Sequence, residues 1–258
     1  MSDLVLTAAA GLFASFLSGL LGIGGGSVLA PLLLYGPALL GAPAIPVKIV
    51  TGLTVIQAVS ASVLGTVRHH GYGNVSFRIV WLMAPVSVVT SLAGAILSGG
   101  ASDRLLLAIY AGFALAGAVL LLLPARGPEQ DAADLRVHVP LAVGIAAVLG
   151  FFGGMVGIGA ISFIMAALVY LLRIPVRVAI GTSLGIGIFA AFAALVGKAA
   201  TAQVDPPLAA AVLAGVLLAS PVGAAISVRT RPEVLIRLLA IVVALAGLRM
   251  AWQAATGT

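Results

Sequence analysis

Apolar residues run almost unbroken through this chain, and what punctuates them is Gly, Pro or an isolated charge, so segment length carries more information than amphipathic periodicity. Reading between the breaks predicts ten apolar segments at about 4–21, 27–40, 46–67, 76–98, 103–123, 138–156, 160–172, 176–200, 206–227 and 232–255. Eight reach the roughly 18 to 20 residues that a helix needs to cross a bilayer. Barrel strands would read as short alternating segments instead. The remaining two, 27–40 and 160–172, are too short to span and are expected to be half-helices or re-entrant pieces. The predicted fold class is an all-α membrane protein with about eight spanning helices and two such short elements.

Each short segment follows a glycine-rich break. The first reads Gly19-Leu20-Leu21-Gly22-Ile23-Gly24-Gly25-Gly26-Ser27 and the second Gly154-Met155-Val156-Gly157-Ile158-Gly159-Ala160-Ile161-Ser162. An offset of 135 aligns Gly22 with Gly157, Gly24 with Gly159 and Ser27 with Ser162; an offset of 129 then aligns Pro46-Val47-Lys48 with Pro175-Val176-Arg177, Gly52 with Gly181 and Thr54 with Ser183. The chain therefore divides into a first transmembrane repeat at 1–123, a linker at 124–137 and a second repeat at 138–258. Each half crosses an odd number of times whichever way its short segment is threaded, so the halves are expected to face opposite ways. That is an inverted-topology repeat, the arrangement that permits alternating access about a midplane site.

Composition narrows the class. With 62% hydrophobic and 8% charged residues, the chain lacks the polar surface of a water-soluble globule, which is roughly a quarter charged. It has no Cys, which removes disulfides, thiolate nucleophiles and thiolate metal sites. Its formal charge of +6 does not argue for nucleic acid, because the basic residues are scattered singly at segment ends. They read as topology markers. Arg68, Arg78, Arg126, Arg136, Arg173, Arg177, Arg229, Arg231 and Arg237 fall on one side, against Lys48, Arg104, Lys198 and Arg249 on the other, which accounts for all 13. The positive-inside rule then puts the linker in the cytoplasm and both termini outside. Met1-Ser2-Asp3 offers no charged leader, so 4–21 is expected to be a permanent segment.

The breaks suggest the chemistry. A helix that begins inside a bilayer leaves its first N–H groups without partners, and its dipole favours an anion there. Gly24, Gly25, Gly26 and Ser27 in one half, with Gly159 and Ser162 in the other, are the candidate anion contacts, the two serines placed as N-caps. Thr51, Thr54 and Gln57, with Gly181, Thr182 and Ser183, add neutral donors and acceptors from the segments that follow. Close packing of small residues is the competing reading of the glycines. Lys48 and Arg177, at equivalent positions, either draw anions into two vestibules or snorkel to headgroups. His69 and His70 read as cytoplasmic surface, and Trp81 and Trp252 as interface anchors.

Asp3, Asp103, Glu129, Asp131, Asp134, Asp205 and Glu233 all lie at termini, in loops or at helix ends, so a carboxylate relay through the membrane is not expected. A membrane hydrolase would need a serine beside a histidine base, and a phosphatase carboxylates or an arginine cluster; neither constellation is legible. The expected partners are a small anion and the lipid bilayer, with no nucleic acid, cofactor or metal. A homodimer is compatible with so small a bundle. An anion channel shares the helix-terminus chemistry and differs in its flux kinetics.

The run Gly22-Ile23-Gly24-Gly25-Gly26-Ser27 through Pro31, together with Gly157-Ile158-Gly159 through Ile180-Gly181-Thr182-Ser183, resembles the TauE/SafE family of sulfite and organosulfonate exporters over essentially the whole chain. The resemblance implies export of a small anion such as sulfite or sulfoacetate across a bacterial inner membrane. The second break carries Gly-Ala-Ile-Ser where the first has Gly-Gly-Gly-Ser, and the counterpart of Gly-Thr-Ser is Gly52-Leu53-Thr54, so an asymmetric site is expected.

Overall fold

The computed structural model describes residues 3–21, 26–39, 43–122, 137–157, 161–227 and 232–256. Ten helices account for nearly all of them: α1 Asp3–Leu21, α2 Gly26–Leu39, α3 Val47–Gly71, α4 Phe77–Gly100, α5 Asp103–Leu122, α6 Val139–Val156, α7 Ile161–Tyr170, α8 Val176–Ala200, α9 Pro206–Ser227 and α10 Pro232–Thr256. No strand occurs among the described residues. Each helix coincides with one of the ten apolar segments, because hydrocarbon forces every backbone group to bond within its own segment. Among the described residues, α3, α4, α5, α6 and α8 are long and apolar enough to cross a membrane. The two helices that follow the glycine breaks have 14 and 10 residues.

The punctuation works as its chemistry dictates. Pro46 and Pro175 stand just before α3 and α8 with nearly the same backbone, φ −56° and ψ 139° against φ −52° and ψ 138°. Proline there gives up an N–H that the helix start would have left unbonded. Gly157 ends α6 in the left-handed region at φ 78° and donates its N–H to the Gly153 carbonyl at 2.8 Å, a closure that glycine adopts without strain.

Helices α3 and α8 have 25 residues each and run antiparallel. Thr51 meets Lys198, Val55 shares a cluster with Ala194 and Ala58 with Ala191, a Cβ on Gly187 would touch Ser62, and one on Gly181 would touch His69. Residue numbers thus fall along one helix as they rise along the other. The remaining helices pair across the halves: α1 lies on α9, α4 on both α6 and α8, and α5 on α10. Substituting each helix by its counterpart five places on leaves the main pairings intact. The α1 and α9 pair becomes α6 and α4, while the α3–α8 and α5–α10 pairs map onto themselves.

The 129-residue offset extends into the loops. His69 O accepts from Asn74 N at 3.0 Å, and at the matching place Lys198 O accepts from Gln203 N at 2.9 Å. Gly73 and Ala202, also in register, both have positive φ, 69° and 53°. A Cβ on Gly52 would run into the carbonyl oxygen of Gln203, and one on Gly181 into that of Asn74. One conformation has been written twice, with different side chains.

Two expectations are corrected here. Lys198 is not a loop or headgroup charge: it lies in the last turn of α8 and is fully buried. Without it the basic count is nine against three, and the bias keeps its sign. His69 is not plain surface either, being half-buried with its Nδ1 enclosed, whereas His70 is exposed and sets its ring edge-on against Phe77. The linker 124–137 lies outside the described residues except for Val137.

Candidate functional site

The short helix α7 begins, among the described residues, against the α3–α8 pair. Ile161, its first residue, packs with Ala58, Leu184 and Ala191 where α3 and α8 cross. A Cβ on Gly187 would come within 2.8 Å of both Ile161 Cγ1 and Ser62 Oγ, so this glycine is what lets α8 close up on the α7 start and on α3. Ser62 is fully buried and its hydroxyl has no hydrogen-bond partner among the described residues. Five residues back along α3, Gln57 is also fully buried; its Nε2 donates to Ser15 Oγ at 3.3 Å, and its Oε1 has no partner. A hydroxyl left bare in a protein interior costs about 1 to 3 kcal/mol. The Ser62 hydroxyl, beside the positive end of a helix, is a neutral donor suited to an anion, whereas the Gln57 Oε1 is an acceptor that suits water or a cation.

A second polar centre lies at the α3 N-terminus. The Lys198 ammonium lies within hydrogen-bond distance of four oxygens, Thr51 Oγ1 at 2.7 Å, Ser98 Oγ at 2.7 Å, the Met155 carbonyl at 2.6 Å and Gln203 Oε1 at 2.9 Å, which share its three N–H groups. All four acceptors are neutral oxygens. Three helices, α4, α6 and α8, end around this ammonium, and the negative ends of their dipoles hold the charge where a carboxylate would otherwise be needed. Lys48 reaches the neighbouring Gly99 carbonyl at 2.7 Å, so its amine caps α4 rather than standing free in a vestibule. Thr54 joins the cluster by donating to the Thr51 carbonyl at 2.9 Å, and its hydroxyl lies 3.0 Å from that of Tyr110. Gly157 is pressed against the same turn, since a Cβ there would strike the Thr51 carbonyl oxygen.

The predicted site residues thus divide into groups. Thr51 and Thr54 belong to the Lys198 centre, and Gln57 faces α1 close to the crossing. Gly181, Thr182 and Ser183 lie at the other end of the α3–α8 pair, where Thr182 Oγ1 accepts from Ser76 N at 3.0 Å and Ser183 Oγ donates to the Ile180 carbonyl at 2.9 Å. Arg177 is exposed there. Ser162 is the second residue of α7, half-buried and hydrogen-bonded. Gly26 is the first described residue of α2 and is buried, and Ser27 follows it, so both serines lie within the described helices. Gly24, Gly25 and Gly159 lie outside the described residues, as does the Ser27 side chain.

A family model described as sulfite exporter TauE/SafE matches residues 7–250, nearly the full length. The chain belongs to this family. Similar curated proteins include two from Bacillus subtilis. The probable membrane transporter protein YunE is 23% identical over 267 residues, covering 96% of this chain and 97% of that protein; the probable membrane transporter protein YdhB is 28% identical over 185 residues, covering 70% and 75%. A probable membrane transporter protein of Xylella fastidiosa is 31% identical over 190 residues, covering 71% of this chain and 69% of its own length. No solved structure matches.

Sequence reading missed Ser62, Ser98, Tyr110, Lys198 and Gln203 in this TauE/SafE chain. One signal was available. The 129-residue register that pairs Gly52 with Gly181 also pairs Lys198 with His69 and Gln203 with Asn74, and carrying it past Ser183 marks those four as equivalent. Ser62 had no such mark, since its counterpart is Ala191.

Proposed function

We propose that this TauE/SafE membrane transporter exports a small anion, sulfite or a short organosulfonate, by alternating access about the α3–α8 crossing. The observation that carries the reading is the start of α7 at that crossing, beside a buried Ser62 hydroxyl that has no partner among the described residues and the side-chain-free surface of Gly187. The antiparallel course of two repeat-equivalent helices supports inverted halves, and inverted halves rocking about a central site expose it to one side at a time. Neutral donors and a helix dipole suit a small oxyanion that must be released again, because a fixed ion pair would hold it too tightly. The linker is cytoplasmic and both termini periplasmic in this reading, in a bacterial inner membrane.

The test is sulfite flux in proteoliposomes. Saturable uptake that is accelerated by sulfite on the opposite side establishes a carrier, whereas flux that grows linearly with concentration and conducts current establishes a channel. Gly187→Val is expected to abolish the flux while leaving a folded, monodisperse protein; unchanged flux would remove the crossing from the site.

A further inference from the structure

The two ends of the α3–α8 pair are equivalent in backbone and opposite in condition. At one end Lys198 joins α3, α4, α6 and the α8–α9 loop by sharing its three N–H groups among four oxygens, and so ties both halves of the molecule together. At the other end its repeat counterpart, His69, has a buried Nδ1 with no partner among the described residues. Between His69 and the crossing lie Thr66 and Ser62, both buried with unpartnered hydroxyls. Spacings of four and three residues place Ser62, Thr66 and His69 on one face of α3. On the other half of the helix, by contrast, Thr51 and Thr54 spend their hydroxyls on Lys198, Tyr110 and backbone carbonyls.

Buried polar atoms in native proteins are hydrogen-bonded, and isolated exceptions call for water or a ligand. Three in a row along one helix face, leading from the crossing to one end, form a polar lane with hydrogen-bonding capacity to spare. The repeat does not demand them, because the α8 counterparts of Ser62 and Thr66 are Ala191 and Leu195. The lane is built on one side only.

We propose that the anion's route runs along α3 from His69 past Thr66 to Ser62, and that the Lys198 cluster bars the other half of the route until the anion arrives. The lysine is suited to that task because its present partners are all neutral: an anion reaching Thr51 offers the ammonium a charged acceptor, and charge-assisted hydrogen bonds are roughly twice as strong as neutral ones. The exchange frees Ser98, Gln203 and the Met155 carbonyl, and with them the contact between halves. This proposal rests on the transport reading above for its cargo, while its geometry can be tested without any cargo.

The chain contains no Cys, so a single introduced cysteine is a clean reporter. In the full-length detergent-purified protein, a cysteine at Thr66→Cys is expected to react with a small charged methanethiosulfonate reagent, and one at Ser98→Cys to be protected. Lys198→Gln, or Gln203→Ala if the first variant is poorly folded, should raise the Ser98→Cys rate toward that of Thr66→Cys. A control cysteine at the buried Ala167→Cys stays protected as long as the fold is intact. Equal reactivity at 66 and 98 with Lys198 in place, or an inert Thr66→Cys, overturns the route; protection at 98 that survives both variants overturns the gate. In proteoliposomes, Thr66→Val should lower sulfite flux by about five- to tenfold. A protein that shows the labelling contrast and moves no sulfite overturns the sulfite reading and upholds the route.

Discussion

Ser62 and Lys198 are buried to the same degree and differ in whether their polar atoms are satisfied, so their replacement should have opposite signatures. Ser62 makes no hydrogen bond among the described residues, and Ser62→Ala removes that hydroxyl. The unliganded melting temperature is expected to hold or rise, while sulfite affinity weakens by about 1 kcal/mol, roughly fivefold. Thermal shift against sulfite reads both, because a ligand stabilises the fold in proportion to its saturation. An unchanged sulfite response would return Ser62 to a packing role. Lys198→Met, by contrast, takes the ammonium from four oxygens in four chain segments; Ser98 and Gln203 still pair with each other, while Thr51 Oγ1 and the Met155 carbonyl lose the donor that joins them. At about 1 to 3 kcal/mol for an acceptor left unsatisfied, the melting temperature should fall even without anion.

At the level of elements, glycines decide how closely helices approach the loops. A Cβ on Gly52 or Gly181 would enter the carbonyl oxygen of Gln203 or Asn74, backbone atoms that yield only if the loop moves. Gly52→Ala and Gly181→Ala are each expected to destabilise by about 1 to 3 kcal/mol. Gly144, inside α6, has nothing within 4 Å of the same position. Gly144→Ala should therefore be neutral or stabilise by up to about 1 kcal/mol through helix propensity alone. Melting curves of the three variants separate the cases, and a tolerated Gly52→Ala would mean that the α8–α9 loop is not seated on α3.

For the whole molecule, the decisive feature is that the halves are interleaved. Helix α1 packs mainly on α9, and α6 on α4, so neither half buries its own faces. Residues 1–123 or 138–258 expressed alone are expected to be degraded, and the two co-expressed to restore a protein that binds sulfite. Stable accumulation of either half alone would contradict the packing. Orientation has its own test. A cysteine placed between Glu129 and Asp134 should be shielded from impermeant thiol reagents added to intact cells, and labelling there would invert the topology.

How much of this was legible depends on how local each cause is. In lipid every backbone N–H and C=O must find its partner inside its own segment, so run length, Pro and Gly were enough to place ten helices, and the repeat offset was enough to say which are equivalent, though not which pack together. That much the amino-acid order determined by itself. The environment of Lys198 was not local: its partners lie 147, 100, 43 and 5 residues away, and no pattern within α8 announces them. Read alone, a lysine near a helix end is a headgroup charge. Only the meeting of three helix C-termini turned it into a buried cation, and only the antiparallel crossing of α3 and α8 set an unpartnered Ser62 beside the start of α7.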